Sequence, residues 1–117
     1  MIAIGSTAVR ESVVAALCAE ARARRMQYSL HYVMRLFQRS MPTREEIAYI
    51  LCGDDPQIIE ENEDEGRRSC LIWGIIADGR VGHVLFSYPP VPVVVTAYWP
   101  DTEPTEWDDN YRRRARS

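Results

Sequence analysis

The stretch "SCLIWGIIADGRVGHVLFSY", Ser69 to Tyr88, is the strongest indicator of fold class in the chain. It holds two apolar runs on either side of Asp78-Gly79, a dipeptide that suits a two-residue hairpin turn. A third run of this kind, "VPVVVTAYW" at 91–99, is entered through prolines and ended by Pro100. A shorter strand is predicted at 57–61, before an acidic turn. The sequence therefore predicts a small antiparallel sheet in the C-terminal half.

The two-residue turn predicts that Gly74 lies opposite His83 across the hairpin. One face then forms the core against the helices, and it carries Leu71, Trp73 and Ile75 with Val84, Phe86 and Tyr88. On the other face, the glycine leaves an opening through which a ligand could approach His83. A bulge, or the tight crossing of another element, accounts for the glycine equally well.

The N-terminal half has the periodicity of three helices. The first starts at a Ser6 or Thr7 cap and runs to about Arg25, and the second is capped by Ser29. The third has a Thr43 and Glu46 capping box and stops at Gly53. The predicted buried positions are Val9, Val13, Val14, Leu17 and Ala21 in the first, Leu30, Val33, Met34, Phe37 and Met41 in the second, and Ile47, Ile50 and Leu51 in the third. The predicted fold class is α+β, with N-terminal helices packed on a small twisted antiparallel β-sheet.

The composition is that of a globular chain of 117 residues, the size of a single domain. All 14 basic residues are arginine, and the net charge is -3. The charge is uneven, at +5 over residues 1–44 and -9 over residues 45–66. This balance argues against sequence-independent binding to long nucleic acid, but it leaves room for a local basic face that binds a short stretch of RNA.

The cysteines and the N-terminus predict a cytoplasmic protein. Cys18, Cys52 and Cys70 are widely spaced and include no C-x-x-C pair, so we expect buried thiols in a reducing cytosol rather than a disulfide framework or a zinc site. The N-terminus shows no export signal, and its apolar run is interrupted before a membrane-spanning length. No membrane association is expected.

The candidate chemistry rests on the two histidines. His31, Arg35 and Arg39 follow one another at four-residue steps and form one ridge on the second helix. RNA cleavage needs a base, an acid and cations over the phosphate, and histidine titrates near neutrality. The phosphate-binding candidates are Arg35, Arg39, Arg67, Arg68 and Arg80. The alternative is that the ridge is an ordinary solvated helix face.

The sequence predicts no metal site and no cofactor. It contains no H-x-x-x-H or H-E-x-x-H pair, no glycine-rich nucleotide-binding motif and no nucleophile elbow. The acidic run "EENEDEG" lacks the spacing of an EF-hand loop and reads as a solvated turn.

From Tyr28 to Trp99 the chain resembles the uncharacterised domain-of-unknown-function family numbered 4258, which looks like a member of the RelE-like toxin superfamily. The matching pieces are "YSLHYVMRLFQRSMPTREEI", "IIEE", "SCLIWG", "GHVLFSY" and "VVVTAYWPD". The resemblance implies a small α+β fold encoded beside an antitoxin protein. It aligns His31, Arg35 and Arg39 with the family's helix motif and His83 with its strand histidine. It divides the chain into an N-terminal helix extension (1–28), a core (29–100) and a polar C-terminal tail (101–117), in which Trp107 and Tyr111 are candidates for docking on the body.

Two functions follow from these residues and this resemblance. The first is a RelE-like, metal-independent endoribonuclease, in which His31 and His83 share the acid and base roles while Arg35, Arg39 and Arg80 hold the phosphate. It requires both histidines to meet in one cleft. The second is a non-catalytic module that binds a protein partner, such as an antitoxin, through its glycine-lined face, its sheet edge or its arginines. A third hypothesis is self-association through the same sheet edge.

Overall fold

The computed structural model describes residues 7–37, 40–64, 66–87 and 91–115. Its helices are α1 (Thr7–Arg22), α2 (Leu30–Leu36) and α3 (Arg44–Cys52). Its strands are β1 (Gln27–Tyr28), β2 (Gln57–Asp64), β3 (Arg67–Ile75), β4 (Val81–Ser87), β5 (Val93–Tyr98), β6 (Trp107–Asp108) and β7 (Arg113–Arg114). Two short 3-10 turns, Pro100–Thr102 and Pro104–Glu106, connect β5 to β6. The predicted α+β class is confirmed.

The main sheet is mixed rather than antiparallel, which corrects the prediction. Its strand order is β1-β5-β4-β3-β2, and the four longer strands, β2 to β5, pair antiparallel with one another. β1 instead runs parallel to β5, with Gln27 beside Val93 and Tyr28 beside Val94. The contact continues at Ser29, whose N–H donates to the Val94 carbonyl and whose hydroxyl donates to the Val95 carbonyl. A two-residue strand is too short to show any alternation of apolar residues, so the sequence pattern could not reveal it.

The predicted helix starts at Ser29 and Thr43 are confirmed. The Ser29 hydroxyl accepts a hydrogen bond from the Tyr32 N–H at 3.1 Å. Thr43 and Glu46 form the reciprocal capping box, with bonds of 3.2 and 3.0 Å. α3 ends at Cys52 and buries Ile47, Ile50 and Leu51, as its spacing predicts. In α1 the inward positions are Val13, Val14 and Leu17, whereas Val9 is exposed.

The buried face of α2 differs from the predicted one. Tyr32 is fully buried, and its hydroxyl donates to the Pro42 carbonyl at 2.8 Å. This buried hydroxyl therefore has a partner, so a tyrosine can serve as the inward anchor of the helix. With Tyr32 turned inward, Leu30, Met34 and Phe37 face solvent, although the apolar pattern places them in the core. Met41 is buried, as expected.

The hairpin between β3 and β4 has a three-residue loop rather than the predicted two-residue one. Ile76 pairs with Arg80, and Gly79 has a φ of +89° in the loop Ala77–Gly79. A left-handed glycine at the end of such a loop is the usual three-residue solution. The pairing therefore shifts by one residue, so that Trp73 lies opposite His83 and Gly74 lies opposite Gly82.

The paired glycines admit a helix rather than a ligand. A Cβ atom added at Gly74 would lie 2.5 Å from Cγ2 of Ile50, and one added at Gly82 would lie 2.6 Å from Cδ1 of the same side chain. α3 thus crosses the sheet over these two positions. The opening predicted beside His83 is absent there, and the tight crossing of another element is the correct explanation of Gly74.

The face of the sheet that carries the glycines is the one that packs on the helices. One buried cluster joins α1 and α3 to alternate residues of the strands, with members that include Leu17, Ile47, Ile50, Cys70, Ile72, Val84, Phe86 and Val94. Because side chains alternate along a strand, Trp73 and His83 point to the opposite face. The prediction that Leu71 and Trp73 face the helices is therefore wrong.

A disulfide joins Cys18 of α1 to Cys52 of α3, and Cys70 is a buried free thiol. The interpretation of all three cysteines as thiols is thus wrong for this pair. The two residues are 34 positions apart in sequence, but α1 and α3 pack side by side and bring their Cα atoms to 5.1 Å. Sequence spacing alone does not report this approach.

Residues 100–115, here called the C-terminal segment, cover the face that carries Trp73 and His83. Trp107 is buried, and its ring meets that of His83 edge to face at 4.5 Å. The Arg112 guanidinium lies 4.2 Å from the centre of the Trp73 ring, and Trp73 Nε1–H donates to the Asn110 carbonyl at 2.8 Å. The C-terminal segment therefore shields this face of the sheet from solvent. Within the described part of the chain, no helix combines the length and the apolar character needed to cross a bilayer.

Candidate functional site

A groove of about 580 Å³ lies between α2 and β5, beyond the point where β1 ends. We call it the β5 groove. α2 contributes His31 and Arg35 to its lining, and the link to α3 contributes Ser40 and Met41. The other lining residues are Thr96, Ala97, Tyr98, Trp99, Pro100, Thr102, Glu103, Glu106, Trp107 and Arg114. Its floor is thus the end of one strand, and part of its wall is the C-terminal segment.

His31 and Arg35 are the two predicted site residues that the β5 groove brings together. They lie one helical turn apart on α2, so their side chains share a face. His31 is exposed and Arg35 is half-buried. Arg39, the third member of the predicted ridge, lies outside the described residues.

His83 does not line the β5 groove, and its whole side chain is buried. Its Nε2 lies 2.7 Å from the Tyr111 carbonyl oxygen, and its Nδ1 lies 3.2 Å from the Tyr98 hydroxyl. A carbonyl oxygen can only accept, so Nε2 carries the proton. In the neutral ring Nδ1 is then the acceptor, and it receives the Tyr98 O–H.

Burial sets the protonation state of this pair. It lowers the pKa of His83 to about 4, against the smaller opposing effect of the bond to the Tyr111 carbonyl. Burial likewise raises the pKa of Tyr98 to about 12. At neutral pH the imidazole is uncharged and the phenol keeps its proton. The hydroxyl proton of Tyr98 is committed to His83, and the oxygen of Tyr98 keeps its remaining lone pair as an acceptor.

The predicted shared cleft for the two histidines requires correction. Both nitrogens of His83 are bonded within the protein and no part of its ring is exposed, so it is not available to touch a substrate in this conformation. Tyr98 lines the groove and contacts His83 directly. His83 therefore stands one side chain away from the groove and orients the tyrosine.

Arg80 is also away from the β5 groove lining. Its guanidinium forms two hydrogen bonds to the Asp101 carboxylate, at 2.8 and 2.9 Å, and stacks 4.2 Å from the centre of the Trp99 ring. This ion pair keeps the pKa of Asp101 below its ordinary value. Arg80 thus ties the hairpin loop to the C-terminal segment, which accounts for it without a phosphate. Arg67 and Arg68 lie at the start of β3, next to the edge strand β2.

Several lining residues were missed by sequence reasoning because they come from the C-terminal segment. Glu103 and Glu106 add two carboxylates to the β5 groove. Arg114 adds a guanidinium, which is paired with Glu60 at 2.8 Å and lies 4.7 Å from the centre of the Trp107 ring. Trp107 is the one available signal, since an indole in a polar stretch often marks a docked segment.

The acidic run "EENEDEG", which the sequence predicts to be a solvated turn, lies in a strand as far as Asp64. β2 extends to Asp64, and two of its glutamates face arginines: Glu61 pairs with Arg10, and Glu63 lies 3.9 Å from Arg68. Among the residues that the structure describes, no group of three or more His, Cys, Asp or Glu side chains is placed to hold a metal ion.

Comparison with known proteins gives one match. The model of a family described as a domain of unknown function, DUF4258, matches residues 28–99. The matched range takes in α2 and all of β5, and thus His31, Arg35 and Tyr98 of the β5 groove, but it leaves out α1 and the C-terminal segment. No curated protein and no solved structure matches the chain.

Proposed function

Because the chain belongs to the DUF4258 family of domains of unknown function, we propose that its β5 groove is the active site of a RelE-like, metal-independent endoribonuclease. The observation that carries the proposal is the presence of His31, Arg35 and the oriented Tyr98 hydroxyl in one groove. A strand of RNA is the substrate that uses all three groups.

In this proposal His31 is the base, because imidazole is the side chain that exchanges protons near neutrality. The 2′-oxygen attacks the adjacent phosphorus and gives its proton to a ring nitrogen of His31. The bond from phosphorus to the 5′-oxygen breaks, leaving a 2′,3′-cyclic phosphate. The 5′-oxygen takes a proton from water, which reaches the exposed His31 wall.

Arg35 supplies the positive charge that the phosphate needs as the transition state forms. Tyr98 accepts a hydrogen bond from the 2′-hydroxyl of the neighbouring nucleotide, which does not react, since the proton of Tyr98 itself is held by His83. His83 is then a positioning residue, which revises its predicted role. Glu103 and Glu106 repel phosphate, so the backbone of the RNA lies toward α2 and not toward the C-terminal segment.

The test is cleavage of a randomised single-stranded RNA pool by the full chain in the presence of EDTA. We expect products with a 2′,3′-cyclic phosphate end, and no cleavage of the matching DNA pool. His31→Ala and Arg35→Ala should each lower the rate by about 100-fold or more. Tyr98→Phe should lower it by about tenfold, since one neutral hydrogen bond is lost.

Arg67→Ala is the matched control, because Arg67 is exposed, lies on β3 with β4 between it and β5, and does not line the β5 groove. It should cleave like the unmodified chain. Failure to cleave any member of the pool, or equal cleavage by the His31→Ala variant, would refute the proposal.

A further inference from the structure

The outward face of α2 is apolar and is exposed within the described part of the chain. Leu30, Met34 and Phe37 have exposed fractions of 73%, 54% and 86%. Phe37 caps the helix with helical dihedral angles, so the three residues follow one another at the i, i+4 and i+7 positions of a single stripe. Scattered apolar residues on a surface are ordinary, whereas three on one helix face make a contiguous patch. We call these three residues the α2 stripe.

The sequence on either side of the α2 stripe is basic. From Arg22 to Arg44 the chain has six arginines and neither aspartate nor glutamate. His31 lies about 90° and Arg35 about 130° round the helix from the centre of the stripe. None of the ion pairs of the described residues involves either side chain. A partner that covers the stripe would therefore meet the guanidinium of Arg35 and the imidazole of His31 along one side of it.

We propose that the α2 stripe is a docking site for an acidic, amphipathic segment of another protein. Leu30, Met34 and Phe37 would pack against the apolar face of that segment, and its carboxylates would pair with His31 and Arg35. Helix recognition through residues at i, i+4 and i+7 is a common mode of peptide binding. Three large side chains are enough to form the central cluster of residues that dominates the binding energy of many interfaces. Polar contacts surround such a cluster.

A second copy of this chain is the less suitable occupant. Its acids are concentrated in residues 45–66, and the glutamates of β2 there are engaged within their own chain. Glu60 pairs with Arg114, Glu61 with Arg10, and Glu63 approaches Arg68. Pairing β2 with the α2 stripe of another copy would require these contacts to be exchanged. A head-to-tail contact of this kind also tends to build open chains rather than closed dimers.

The proposal goes beyond the ribonuclease proposal and does not depend on it, because it is tested without RNA. The full chain is immobilised and challenged with a displayed library of helical peptides. Each peptide carries leucines at i, i+4 and i+7, with acidic, neutral or basic flanks. We expect the enriched peptides to be acidic, and their affinity to fall at least tenfold with Phe37→Ser and with Arg35→Glu. Tyr49→Ser, at another half-exposed aromatic residue on α3, is the matched control and should bind normally.

Three outcomes would overturn the proposal. The first is enrichment of basic or neutral peptides, and the second is a failure to enrich any peptide. The third is concentration-dependent self-association, measured by sedimentation, that Phe37→Ser abolishes, since the occupant would then be a second copy. The circular dichroism spectra of the variants, compared with that of the unmodified chain, check that lost binding is not lost folding.

Discussion

His83 is the residue whose environment is furthest from what its sequence position suggests. Sequence reasoning picks it out as a histidine on a strand, which is correct, and then makes it available to a ligand. The register shift of one residue puts it instead beside Trp73, under Trp107. There it donates to one backbone carbonyl and accepts from one phenol, so its hydrogen-bonding capacity is filled.

Acid should destabilise the fold through His83. Burial lowers its pKa to about 4 in the folded chain, whereas an unfolded histidine has a pKa near 6.5. Between these values the unfolded chain binds the proton and the folded chain does not, so the stabilising contribution is complete above pH ~6.5 and is lost as the pH falls toward 4. The full loss amounts to ~3 kcal/mol. Denaturant unfolding across this range measures it. A His83 imidazole resonance that titrates near pH 6.5 in the folded protein would contradict the assignment.

At the scale of the elements, the sequence predicts only part of how α3 crosses the sheet. Capping residues and apolar spacing predict the bounds and the inward side of α3, because these signals are local. They do not say which strand residues the helix will meet. Gly74 and Gly82 mark that place, but only the true hairpin register pairs them, and the register depends on whether the loop has two or three residues.

Adding a methyl group at either glycine of the crossing should destabilise the fold. At one of the two glycines, a second substitution should reverse part of this loss. Gly74→Ala and Gly82→Ala should each destabilise the fold by ~1–3 kcal/mol, since both new Cβ atoms meet Ile50. The atom that obstructs Gly82→Ala is Cδ1 of Ile50, which Ile50→Val removes. The double variant Gly82→Ala/Ile50→Val should therefore recover ~1 kcal/mol relative to additivity.

Gly74→Ala combined with Ile50→Val is the control, because the obstructing atom there is Cγ2, which valine retains. Thermal unfolding of the two double-mutant cycles gives the comparison. Equal coupling in both cycles would show that α3 shifts as a body instead of meeting each glycine through a separate atom.

At the scale of the whole molecule, the parts that sequence reasoning missed are those made by distant segments. β1 joins the sheet through two residues, the disulfide joins α1 to α3, and the C-terminal segment covers Trp73 and His83. None of these has a local pattern, apart from Trp107 and Tyr111, which the sequence marks as candidates for docking without indicating what they cover. For the same reason His31 and Arg35 were predicted together from one helix, whereas Tyr98 and the C-terminal lining of the β5 groove were not.

Reducing the disulfide should lower the free energy of unfolding by ~3 kcal/mol, because the closed loop restricts the unfolded chain. The Cys18→Ala/Cys52→Ala variant should match the reduced protein. Thiol titration provides the check. The native, unreduced chain should react slowly, since burial raises the pKa of Cys70 to about 12. The same chain in denaturant should show one thiol, and the reduced chain three. Three thiols without reductant would disprove the bond.

The C-terminal segment has a practical consequence for anyone who shortens this protein for expression. A version cut to the matched range, 28–99, would keep His31, Arg35 and Tyr98 but would lose the backbone carbonyls that receive Trp73 and His83. It would also discard Cys18 and leave Cys52 without its partner. The ring N–H groups of Trp73 and His83, and the strand surface that Trp107 covers, would then be exposed to water. Such a truncation should precipitate for reasons unrelated to its activity, so a negative assay on it would say nothing about the intact chain.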